Sequence, residues 1–170
     1  MEVSEAIRTK RAIREFIDQP IPEEAVRAIL NAGRRAQSSK NSQPWHFIVI
    51  RERARLKALS EMGTFAGHLA GAAVGVAILT RPPEERWSVM FDAGQAAAYM
   101  QLAASELGIG SCMATIYEPE KARELLGFPD DVHLRAAISF GYPRSGQSRP
   151  DARKKGGRRA FDEVVHWETW

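Results

Sequence analysis

The chain has 170 residues, 44% hydrophobic and 26% charged, with a formal net charge of +3. This is ordinary composition for one domain spanning residues 1–170, and it excludes disorder over the bulk of the chain. The single cysteine, Cys112, excludes an intrachain disulfide and cysteine-rich zinc sites.

Val3 to Thr9 reads as a short helix, followed by a basic, extended stretch from Lys10 to Pro20. Pro22 opens a helix that runs to about Arg35, with Ala25, Val26, Ile29, Leu30 and Gly33 at helical spacing. A polar segment, Gln37 to Gln43, leads into Trp45–Ile50, whose aromatic and β-branched residues predict a buried strand. Glu52 to Met62 reads as a surface helix with Leu56 and Leu59 inward, and Val74 to Thr80 as a second buried strand. The uncharged run Leu69–Thr80 is too short for a membrane span, which needs roughly 20 apolar residues.

Pro82-Pro83 breaks the chain, and Met90 to Leu107 is the strongest helix, small-sided and apolar all round, as buried helices are. Gly108 ends it. Strands are expected at Ser111–Tyr117 and His133–Tyr142, with a short helix over Pro119–Leu126 between them. Residues 143–157 form a Gly/Pro/Arg-rich loop. The tail from Phe161 to Trp170 is too aromatic for a solvated end; it either folds back on its own domain or covers a partner. No secretory leader is visible, and the expected location is the cytoplasm.

Four segments carry chemistry. Arg8 to Phe16 holds four cations, with guanidinium forks suited to phosphate. Ala36 to Trp45 offers serine, asparagine and glutamine donors and acceptors, the rim a planar heteroaromatic needs. Gly108-Ile109-Gly110-Ser111 permits close backbone approach, but follows a helix and precedes a strand, the reverse of a dinucleotide fingerprint. Lys154 to Phe161 joins glycines to paired arginines. Walker, His-Glu-x-x-His and Gly-x-Ser-x-Gly motifs are absent. The four histidines show no ligand spacing; His46 reads as structural and Cys112 as a small core residue.

In this order the segments resemble the nitroreductase family of flavoenzymes, over almost the whole chain. Lys10-Arg11-Ala12-Ile13-Arg14-Glu15-Phe16 is similar to the family's Arg-Arg-Ser-x-Arg-x-Phe. Ala36, Ser38, Asn41, Gln43, Pro44 and Trp45 match Ala-Pro-Ser-x-x-Asn-x-Gln-Pro-Trp, with Gln37 for the proline. The Gly-x-Gly-Ser stretch matches, as does the closing pattern over Arg158–Val165. The resemblance implies an α+β fold of three α/β/α layers. Its central sheet would be mixed and mainly antiparallel, with the C-terminal strand exchanged across a homodimer.

It further implies FMN as cofactor and NADH or NADPH as electron donor. Lys10, Arg11 and Arg158 would hold the FMN phosphate, and Arg14 would sit beside N1 and O2 of the ring. Ser38, Ser39 and Asn41, with Gln43, would come from the partner subunit, while Met113, Ala114 and Thr115 would line the ring through backbone N–H groups. Ala12 stands where the family has a serine and Lys10 where it has an arginine. A lost neutral hydrogen bond costs about 0.5–1.5 kcal/mol, so FMN is expected to bind up to roughly tenfold more loosely. The implied reaction is ping-pong electron transfer from NAD(P)H to a nitroaromatic or quinone acceptor, with no acid–base side chain required. Dehydrogenation, dehalogenation or flavin fragmentation on the same fold, and a non-enzymatic flavin-binding module, are the alternatives. Neither nucleic acid nor membrane is an expected partner: Arg8–Phe16 is net +3 and 144–159 net +6 around an acidic body, and the resemblance brings both basic ends to one phosphate.

Overall fold

The computed structural model describes residues 2–84, 86–144 and 158–170. Among the described residues the α-helices and strands follow in the order α1 (Val3–Thr9), α2 (Glu23–Arg34), β1 (Trp45–Ile50), α3 (Arg53–Ser60), β2 (Val74–Thr80), α4 (Ser88–Glu106), β3 (Gly110–Thr115), α5 (Pro119–Leu126) and β4 (His133–Gly141). Every helix and strand read from the sequence pattern forms, with ends moved by up to two residues, whereas the tail implied by the resemblance to be a strand carries in this single chain one 3-10 turn, Phe161–Glu163. The four strands pair antiparallel in the order β1-β2-β4-β3. Parallel pairing among the described residues is confined to a single bridge, Ala12 to Ser111.

Alternation along the buried central strands builds two cores. Val74, Val76 and Ile78 of β2, with Ile138 and Phe140 of β4, face α2 and α4 and pack on Val26, Ile29, Ala97 and Met100. Ala77, Leu79, Leu134 and Ala137 face the other way, onto Leu56 and Leu59 of α3 and Ala122 of α5. The sheet is therefore the middle of three layers. Gly33 lets α2 approach α4 closely: a Cβ there would stand 2.7 Å from Met100 Cγ. Gly108 stops α4 at a φ of 71°.

Two glycines position the N-terminal segment. Gly110 and Gly141 are partners in the β3–β4 register. A Cβ on the first would lie 2.8 Å from Ile13, and on the second 2.6 Å from Phe16. The bare shelf admits both side chains, so the basic segment meets β3 at Ser111 and then crosses the ends of β3 and β4, with Ile13 N–H donating to the Ser111 carbonyl and Ile17 N–H to the Tyr142 carbonyl, each at 3.0 Å. The tail does not fold back: Trp167 is 77% exposed and Trp170 99%.

Candidate active site

The edge of β3 is the scaffold. Ser111 carbonyl points outward to Ile13, whereas Ile116 N–H points inward to the Arg135 carbonyl. In an antiparallel strand these directions alternate, so Met113 and Thr115 aim their N–H and C=O groups away from β4. Their side chains are exposed while Ala114 is buried between them. Backbone donors at the sheet edge are thus the groups that Met113 and Thr115 offer; Ala114 points its own inward.

Lys10 and Arg11 stand at one end of this edge. With Thr9, Gln101, Gly110 and Ser111 they line a cleft of about 160 Å³. Lys10 Nζ donates to Gln101 Oε1, which also accepts from Ser111 Oγ at 3.4 Å. Burial pulls the Lys10 ammonium below its ordinary pKa, opposed by the nearby Cys112. A bound anion would offset that burial. Arg11 folds its guanidinium onto the Arg8 and Lys10 carbonyls, at 2.7 and 2.8 Å. Ala12 contributes its backbone to the bridge with Ser111.

Arg14 is exposed, in sequence between Ile13 over Gly110 and Phe16 over Gly141. Its charge adds to the burial that lowers the His68 pKa and works against the burial that raises the Cys112 thiol, which places the guanidinium within electrostatic range of both. Below β3 lies a buried polar chain: His68 Nδ1 is 2.7 Å from Ser139 Oγ, and Ser139 donates to the Cys112 carbonyl at 3.3 Å. Donor and acceptor roles in the His68–Ser139 pair follow the imidazole tautomer. Nε2 is buried without a hydrogen-bond partner among the described residues. Burial raises the Cys112 thiol, against the pull of Arg14 and Lys10. Cys112 is therefore a packed, inert thiol.

Ser38–Gln43 forms the second half of the candidate site. Lys40, Asn41 and Gln43 hold positive φ of 55°, 52° and 45° without being glycine. Each such residue costs on the order of 1 kcal/mol, so neighbours must over-determine the loop. Within it, Gln43 N–H donates to Ser38 Oγ at 2.9 Å, and Gln43 Nε2 to Asn41 Oδ1 at 3.3 Å. From outside, Ser39 N–H donates to Asp92 Oδ1 of α4 at 3.1 Å.

The two halves do not meet within one chain. Ser39 is anchored at Asp92 and Lys10 at Gln101, nine residues apart on α4, which is about 14 Å and two and a half turns. They occupy opposite faces of that helix. Arg158 is exposed on the tail and does not line the Lys10 cleft; residues 145–157, including Lys154 and Lys155, lie outside the described residues. His46, read from the sequence as structural, is exposed instead. The sequence reading passed over Asp92, Gln101 and Arg86. The available signal for the first two was their polarity in an otherwise alanine-rich helix.

A model of the nitroreductase family matches residues 7–64 and 60–142. The chain belongs to the nitroreductase family. A relative from Archaeoglobus fulgidus, named provisionally as an NADH dehydrogenase/NAD(P)H nitroreductase, is 35% identical over 99% of both chains. A 5,6-dimethylbenzimidazole synthase from Rhodospirillum rubrum is 24% identical over 86% of this chain and 84% of its own. Among solved structures, an FMN-dependent nitroreductase from Clostridium difficile superposes with a TM-score of 0.84 at 28% identity, covering 97% of this chain and 98% of that one. The family makes the chain an oxidoreductase. No helix among the described residues is long and apolar enough to cross a membrane.

Proposed function

We propose that this nitroreductase is an FMN-dependent NAD(P)H oxidoreductase acting on nitroaromatic or quinone-type acceptors, as a cytoplasmic homodimer of one-domain chains. The observation that carries this reading is the β3 edge: outward backbone donors at Met113 and Thr115, an exposed cation at Arg14 within electrostatic range of Cys112 and His68, and Lys10 and Arg11 at a cleft at one end. That donor set fits a planar flavin with a phosphate tail. The chemistry that FMN would supply there is hydride acceptance from NAD(P)H and electron transfer to the acceptor.

Lys10 and Arg11, with Arg158 from the tail, would hold the phosphate electrostatically. Backbone N–H groups at Met113 and Thr115 would orient the ring, with Ala114 fixing the strand between them. Arg14 would stabilise negative charge gathering at the pyrimidine end. Ser38, Ser39, Asn41 and Gln43, on the far side of α4 from Lys10, would serve the site of the partner subunit. The open edge favours broad acceptor choice.

The test is the visible spectrum of the purified protein, followed by anaerobic titration with NADH and NADPH. Yellow protein bleached by either donor and recoloured by a nitroaromatic is the expected result. Protein that neither carries nor takes up FMN would sink the reading.

A further inference from the structure

Ser39 is held from both sides. Its N–H donates to Asp92 Oδ1 at 3.1 Å, and its carbonyl accepts from Arg86 Nη2 at 2.9 Å. Arg86 is itself steadied by Nε donating to Ser88 Oγ at 2.9 Å, at the start of α4. Asp92 is only 3% exposed, and its Oδ2 has no hydrogen-bond partner among the described residues. A buried carboxylate with one oxygen unsatisfied is a stability liability. Its hydrogen bond among the described residues goes to the loop whose three left-handed residues, Lys40, Asn41 and Gln43, most need external restraint.

We infer that Asp92 is a positioning residue for flavin binding: with Arg86 it clamps the Ser39 peptide and fixes Ser38–Gln43 in its binding-competent conformation. The inference rests on the flavin reading above. It also links the loop to α4, whose neighbouring residues Trp87, Met90 and Phe91 are exposed apolar side chains. The interface helix and the cofactor loop would then be ordered together.

Three variants test this in the full-length protein. Asp92→Leu removes the acceptor without leaving a buried charge, so the thermal midpoint of the apoprotein should hold or rise. FMN affinity, read by quenching of flavin fluorescence, should fall about tenfold or more, as loss of a charged hydrogen bond does. Asp92→Asn keeps the acceptor oxygen and should stay within about threefold of wild type. Arg86→Met releases the other side of the peptide and should weaken FMN several-fold.

Amide exchange at Ser39 in the apoproteins should quicken in Asp92→Leu and Arg86→Met. Unchanged affinity and unchanged exchange in Asp92→Leu would overturn the inference, as would a lowered midpoint with affinity intact. If that variant does not fold, Arg86→Met decides by the same two readouts. If wild-type protein takes up no FMN, the flavin reading fails by itself, and exchange at Ser39 still decides whether the clamp exists.

Discussion

Of the four histidines, the fold buries only His68. Burial is the main force lowering its pKa, the Arg14 charge adds to it, and the Met113 backbone opposes by favouring the protonated ring. The consequence for stability has a definite sign. Above the unfolded value, about 6.5, the ring is neutral in both states and contributes nothing. As pH falls below that value the unfolded chain takes up the proton first, so stability declines. The decline levels off below the depressed native value, where both states are charged. His68→Asn keeps a polar partner for Ser139 and removes the titration. Denaturant midpoints at pH 5.5 and 7.5 should therefore differ less in the variant than in wild type. An equal difference would show that other groups set the acid limb.

At the scale of elements, the site depends on close backbone approaches that glycine alone allows. The turn after α3 meets the end of β3 where Tyr117 N–H donates to the Met62 carbonyl at 2.8 Å. A Cβ on Gly63 would stand 2.1 Å from the Thr115 carbonyl oxygen, a backbone atom that cannot swing aside. Gly63→Ala should thus cost about 1–3 kcal/mol or more and displace Thr115, lowering both the denaturant midpoint and FMN affinity. A fully stable variant with native affinity would mean that this junction shifts freely. Such contacts explain what was legible in the sequence. Periodicity exposed every helix and strand, because each has a strongly patterned or wholly apolar face. The Gly-x-Gly signal correctly implied a close approach, but not that Ile13 and Phe16 occupy the shelf. Asp92 and Gln101 stayed hidden because their partners, Ser39 and Lys10, lie 53 and 91 residues away in the chain. Local pattern does not report pairings set by the packing of α4.

For the whole molecule, the single chain leaves too much apolar surface uncovered. Phe161, Val164, Trp167 and Trp170 are exposed along the tail, and Trp87, Met90 and Phe91 at the start of α4, where Trp87 and Phe91 pack edge to face at 5.1 Å between ring centres. Scattered surface hydrophobics need no explanation, but contiguous aromatic patches mark interfaces. Among the described residues β1 is an edge strand, with one side of its backbone unpaired by another strand. The two halves of the candidate site are anchored on opposite faces of α4, and a second copy would complete each of them in the proposed dimer. The proposed dimer, with two chains joined through α4 and exchanged tails, would cover these surfaces and let each chain supply one half of every site. Removing residues 160–170 should shift sedimentation toward monomer at micromolar concentration and weaken FMN binding in step, while the helical signal by circular dichroism is kept. If the truncated chain stays dimeric and binds FMN normally, the tail is not part of the interface. If it becomes monomeric yet binds FMN as tightly, each site is complete within one chain and the division of the site between subunits is wrong.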